Sequence, residues 1–152
     1  MWLDIIKRKN KKVVALLKKV VKIRETIQAE DHPDRLASQH ALAIAYEANG
    51  QIKEAVTLLE HVVKIEETTQ AEDHPDRLAS QHELARTYKA NGQIKEAVAL
   101  LEHVVKIEET TLAEDHPDRL ASQHELARAY EANGQIKEAV TLLEHVRGAW
   151  GK

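Results

Sequence analysis

A string running from His74 to Asp115, HPDRLASQHELARTYKANGQIKEAVALLEHVVKIEETTLAED, begins in closely similar form at His32 and again, shortened, at His116. This 42-residue spacing constrains the chain more than any other feature. A unit of that length is one supersecondary element that cannot bury its apolar face alone, and stacking on neighbours completes the core. The chain therefore divides into a basic half-repeat (1–31), full units at 32–73 and 74–115, a unit with a shortened second helix (116–147) and a tail (148–152).

Each unit carries two helical patterns. The first opens at Asp-His-Pro-Asp, where proline fits the first turn and the aspartates suit the positive helix end. It spans about Pro33 to Ala48. At 100° per residue Leu36, Gln39, Leu42, Ala43 and Tyr46 share one arc, and Ala37, His40, Ala41, Ile44, Glu47 and Ala48 share the next. Asn49-Gly50 ends it, because glycine supplies the left-handed conformation a helix C-terminus needs. The second pattern begins near Ile52 and has a half-circle apolar face of Ala55, Val56, Leu58, Leu59, Val62, Val63 and Ile65. A face that wide must touch its own first helix on one side and the following unit on the other. The expected fold class is all-α, with antiparallel hairpins joined by short turns and about seven helices in all.

Residues 11–27 align without a gap to the second helix of the unit, so a half-repeat stacked on the first full unit is expected, with a soluble lysine face. Trp2, Ile5 and Ile6 either extend this helix or fold over its end, and Asn10 is an alternative N-cap. The first 30 residues hold nine Lys/Arg against three Asp/Glu, whereas the remainder is acidic, 13 against 22. An acidic body argues against nucleic-acid binding. No apolar run approaches the ~20 residues of a membrane span. No partnership with a membrane is expected.

The residues here resemble the tetratricopeptide repeat (TPR): Leu42-Ala43-x-x-Tyr46-x-x-x-Gly50-x-Ile52-x-x-Ala55-x-x-x-Leu59 fits its pattern over about residues 11–146. The 42-residue period with Asp-His-Pro between units looks like the kinesin-light-chain type. The resemblance implies a right-handed superhelix, an α-solenoid whose first helices line a concave face that binds a protein or peptide segment. Near-identical units also look like the repeat arrays of fungal NACHT or NB-ARC NLR-type proteins, and an engineered consensus array would read the same way. Two modes of the wider family are not matched. The carboxylate clamp wants Lys and Asn where His40, Ala41 and Ile44 stand, and the Asn that kinesin light chains place before Leu-Ala is Ala41, Glu83 or Glu125.

Between the two complete units six columns differ: Ala41/Glu83, Ile44/Arg86, Ala45/Thr87, Glu47/Lys89, Thr57/Ala99 and Gln70/Leu112. Four lie in the first helix, three of them on the arc of His40. The candidate peptide-binding face is therefore His40, Ile44 and Glu47, then His82, Glu83, Arg86 and Lys89, then His124, Glu125, Arg128 and Glu131. Its three imidazoles would make binding respond to mild acid.

Nine histidines suggest metal chemistry until duplication explains them as three columns. His82-Glu83-Leu84-Ala85-Arg86 begins like a zinc-protease helix, but Arg86 stands where the second ligand belongs. His61, His103 and His145 fall on the solvated side, and His32, His74 and His116 shape the turns. The absence of cysteine excludes thiolate sites. No catalytic residue, metal or cofactor is expected, and a cytoplasmic location is. Without a polar capping helix after Val146, the C-terminal end predicts end-to-end self-association, with Trp150 as a cover.

Overall fold

The computed structural model describes residues 1–150, with side chains described through Gly148. Among these residues there are seven helices and no strand: α1 (Trp2–Ile27), α2 (Pro33–Ala48), α3 (Ile52–Thr69), α4 (Pro75–Ala90), α5 (Ile94–Thr111), α6 (Pro117–Ala132) and α7 (Ile136–Trp150). Trp150, the expected cover of the C-terminal end, lies outside the described side chains.

The repeated punctuation sets the boundaries. Proline begins α2, α4 and α6, and the histidine before it is the N-cap: Nδ1 of His32, His74 and His116 accepts from the backbone N–H two residues on, at 3.1 Å. Each of these helices ends in a Schellman turn. Gly50, Gly92 and Gly134 have φ near +80°. In the first turn the Gly50 N–H donates to Glu47 O and the Gln51 N–H to Tyr46 O at 2.8 Å, satisfying carbonyls the helix leaves open.

The chain forms two compact units, Met1–Gln70 and Ala71 onward. In the first, Val14 and Val21 of α1 meet Leu42 and Ala45 of α2, with Leu17, Tyr46 and Leu58 against them. On the other side of the hairpin Leu36 of α2 sits on Val62 and Ile65 of α3. In the second, Ala85, Val98, Leu101, Val105, Leu126 and Ala129 join α4, α5 and α6 in one core, and Leu142 brings in α7. The small columns allow the close approach expected of them: Ala43, Ala55 and Ala97 are fully buried.

Three features depart from or refine the sequence reading. α1 is one continuous helix from Trp2, so Asn10 does not cap it. Asn10 Nδ2 instead donates to Ala48 O at 2.9 Å. The half-repeat does stack on α2, but the match of its apolar columns to buried ones does not bury them all. Leu16 and Ile23 are exposed because no helix among the described residues covers that side of α1. The core is also more polar than the pattern suggested, with Ser122 and Glu108 buried as well as the Gln39, Gln81 and Gln123 column that the arc placed inward.

Candidate functional site

On α2 the exposed line runs through Ala37 and Ile44 with half-buried His40, Ala41 and Glu47 beside it. α4 and α6 carry the same line in the second unit. Their opposite sides enter the common core through Ala85, Leu126 and Ala129, which fixes the phase of each helix. Arg86, His124, Arg128 and Glu131 are exposed, while His82, Glu83, Lys89 and Glu125 are half-buried. All eleven candidate residues thus lie on the first helices, at exposed or half-buried positions.

The columns in which the repeats differ sort by exposure. That of Ile44 is exposed and those of Ala41 and Glu47 lie beside it, mostly half-buried, whereas Ala45, Thr87 and Ala129 are buried. Thr87 tolerates this by turning its hydroxyl back to Glu83 O at 2.9 Å. The added arginines do not present bare charge. Arg86 lies 3.3 Å from Glu83 and Arg128 3.9 Å from Glu125, each pair one helical turn apart. Such surface pairs are worth only about 0.3–0.5 kcal/mol, so a ligand carboxylate can compete for either guanidinium.

The three imidazoles of the expected ladder are not equivalent. His124 is exposed, whereas Nε2 of His40 and of His82 is enclosed, with no hydrogen-bond partner among the described residues. No group of three His, Cys, Asp or Glu among the described residues has the spacing to hold a metal ion. The solvated histidine column is exposed as expected, and His103 Nε2 lies 3.9 Å from Glu72.

Sequence reasoning missed a second surface. A shallow groove of about 700 Å³ lies over α2 between α1 and α3, lined by Val21, Leu42, Tyr46, Lys53, Leu58 and His61 among others. Its counterpart in the second unit, about 600 Å³, uses Val105, Leu126, Tyr130, Lys137, Leu142 and His145. None of the eleven candidate residues lines either groove. The Tyr130 hydroxyl is held above its ordinary pKa by burial first and then by Glu102, to which it hydrogen-bonds. The signal was in the sequence: Tyr46 and Leu42 share an arc, but that arc read as core.

The buried carboxylate is also part of this framework. Burial raises the Glu108 pKa, opposed by a hydrogen bond from Ser122. In α1 the same column is Arg24, whose guanidinium donates to Ser38 Oγ and to Asp34 O. A hydroxyl both donates and accepts, so one serine column serves a carboxylate in one hairpin and a guanidinium in another.

The tetratricopeptide repeat family model matches residues 12–68, 48–110 and 76–150. Among solved structures, the chain is similar to the nearly identical TPR-like repeats of a Podosopora anserina protein described as a kinesin light chain. Identity is 62% and the TM-score 0.87, over 90% of this chain and 65% of that one. The chain thus spans just under two thirds of that relative. BtubC (BKLC) from P. vanneervenii matches at TM-score 0.83 with 14% identity, over 94% of this chain and 57% of that one. MamA matches at TM-score 0.57 with 17% identity, over 95% and 86%. Both share the fold alone. No curated protein matches at a significant level.

Proposed function

Because the chain belongs to the tetratricopeptide repeat family, whose folds are in general protein-interaction scaffolds, we propose that it is a non-catalytic module binding a protein or peptide segment along its α2, α4 and α6 faces. One observation carries the reading. Three of the four columns where copies disagree on the first helices lie on or beside the exposed line, the Ala45/Thr87 column being the buried exception, while the stacking columns are nearly constant and buried. An exposed column tolerates drift in a scaffold that merely stacks, but a surface that reads a ligand gives a reason for Ile44 and Arg86 to share one. The ligand expected opposite α4 and α6 carries carboxylates that displace Glu83 and Glu125 from Arg86 and Arg128. The further reading, that the module is the sensor region of an NLR-type signalling protein, rests on the near-identity of the copies.

The test is selection from an arrayed peptide library with the full chain and with its Arg86→Glu/Arg128→Glu variant. Short peptides rich in Asp and Glu that lack an apolar helical seam should be captured by the first and lost by the second, with unchanged helicity in both. Capture of the same peptides with equal affinity by both chains would remove the face from consideration.

A second reading, assembly through the end of the array, has its own support. Val140 of α7 is 48% exposed, whereas Val98, in the same column of α5, is 5% exposed beneath α6. Concentration-dependent association that leaves peptide capture unchanged would favour it.

A further inference from the structure

We propose that the free face of α1 is a docking surface for one amphipathic helix of another protein, acidic along its flanks and about as long as α1 itself. Ile23 is 59% exposed, while Ile65 and Ile107 in the same column are 8% exposed. In the first unit Ile65 is covered by Leu36 of α2, so the chain itself shows that a helix is what this column accepts. Leu16, Ile23 and Ile27 of α1 present that same side to solvent.

The sequence of α1 specifies the occupant further. Ile6, Val13, Val20 and Ile27 recur at seven-residue spacing, interleaved with Trp2, Lys9, Leu16 and Ile23 at alternate steps of three and four. From Val13 onward, β-branched residues on one seam position and Leu16 and Ile23 on the other are the pattern of a two-helix seam, while Trp2 and Lys9 stand at the second position in the first half. The seam covers 26 residues, about 39 Å at 1.5 Å per residue. A 16-residue helix of the α2 type spans only about 24 Å and would leave the Trp2 end bare. Val13 also replaces the alanine of Ala55 and Ala97, which are fully buried where a helix of that type approaches closely. The bulkier side chain fits the wider spacing of a seam better than that approach.

Charge decides between a second copy and a different partner. Lys12 and Lys19 flank the seam where α3 has Glu54 and His61. With nine cations against three anions in residues 1–30, two copies of α1 would repel each other. A partner with Glu or Asp at those flanks is attracted instead, most strongly at low salt.

The test uses the full chain and two synthetic four-heptad peptides with Ile and Leu on the seam. One carries Glu on both flanks and the other Lys, and their own like charges keep both monomeric. Fluorescence anisotropy at low salt should show the Glu peptide binding at least tenfold tighter than the Lys peptide, with affinity falling as salt rises. Leu16→Glu/Ile23→Glu should weaken binding at least tenfold without changing helicity or melting temperature, since both side chains are already exposed. The Arg86→Glu/Arg128→Glu chain should bind the Glu peptide as the parent does, separating this surface from the face on α4 and α6. Equal binding of the two peptides, or binding indifferent to Leu16→Glu/Ile23→Glu, would overturn the proposal. So would failure of the Glu peptide to bind while that double substitution abolishes either self-association or adsorption to phosphatidylserine vesicles.

Discussion

At the scale of single residues, the fold depends on positions where only one side chain does the task. Gly92 has φ +81° and nothing within 4 Å of where a Cβ would stand. Substitution with alanine therefore meets no neighbour and costs only the conformational penalty. Gly92→Ala should destabilise by about 1 kcal/mol in urea unfolding. No loss would mean that the turn relaxes without cost. Glu108 is a different case. Its pKa is raised above 4.5, chiefly by burial. The folded state thus holds that proton more tightly than the unfolded state does. Its contribution is fully present below the ordinary carboxylate range and is lost as pH rises through the raised value. Glu108→Gln keeps an oxygen to accept from Ser122 and removes the buried charge. The difference in melting temperature, variant minus parent, should be positive at about pH 7 and shrink towards about pH 4. A difference independent of pH would place the Glu108 charge outside this balance. The glutamine column of Gln39 fell on the core arc in sequence, but the burial of Glu108 was not legible. A polar residue at the edge of an apolar arc reads as solvated, and its hydrogen-bond partner belongs to another helix.

The boundaries of α2, by contrast, were legible, because they are set by local chemistry, whereas the start of α1 and the end of α7 were not. Proline at the first position, a histidine acceptor before it and Gly in the left-handed region after it act within one turn, so sequence placed α2 from Pro33 to Ala48 without knowledge of packing. What joins one hairpin to the next was not legible. Arg119 Nη1 of α6 reaches back to Leu112 O at 3.1 Å and Glu109 O at 3.4 Å, a cationic cap on the last carbonyls of α5. Arg35 does the same for α1, at Gln28 O and Glu25 O. These contacts span seven and ten residues, beyond the reach of helix periodicity, and Arg in a first turn otherwise reads as unfavourable to the dipole. Arg119→Ala should therefore destabilise by about 1 kcal/mol, as loss of a typical hydrogen bond does. Faster amide exchange should be confined to the end of α5 and the connection to α6. Uniformly faster exchange throughout α4–α7 would instead mean that Arg119 contributes to the global stability of the unit.

For the molecule as a whole, near-identity of the copies makes the two ends of the array its least predictable parts. Val98 and Val140 share a column and a residue type but not an environment, because Val98 packs with Leu126 and Ala129 of α6 and no described helix packs on Val140 in that way. Sequence marked the C-terminal end as uncapped, but it read the apolar columns of α1 as buried, which Leu16 and Ile23 are not. Val140 and Ile136 are 48% and 56% exposed on α7. Burying the Val140 side chain against a second copy would recover part of the 1.5–3 kcal/mol, roughly, that full burial of such a side chain provides. One residue is too little for a stable dimer, so association through α7 should be weak, appearing only at high protein concentration. Val140→Lys should shift that association to still higher concentration in sedimentation equilibrium while leaving unfolding unchanged, since the side chain is already half in water. The α1 double substitution Leu16→Glu/Ile23→Glu should leave the same association untouched, because the face it alters is answered by an acidic helix and not by α7. If it abolished self-association, the two ends would be joined head to tail, and the lysines of α1 would then be answered by the acidic body of a second copy.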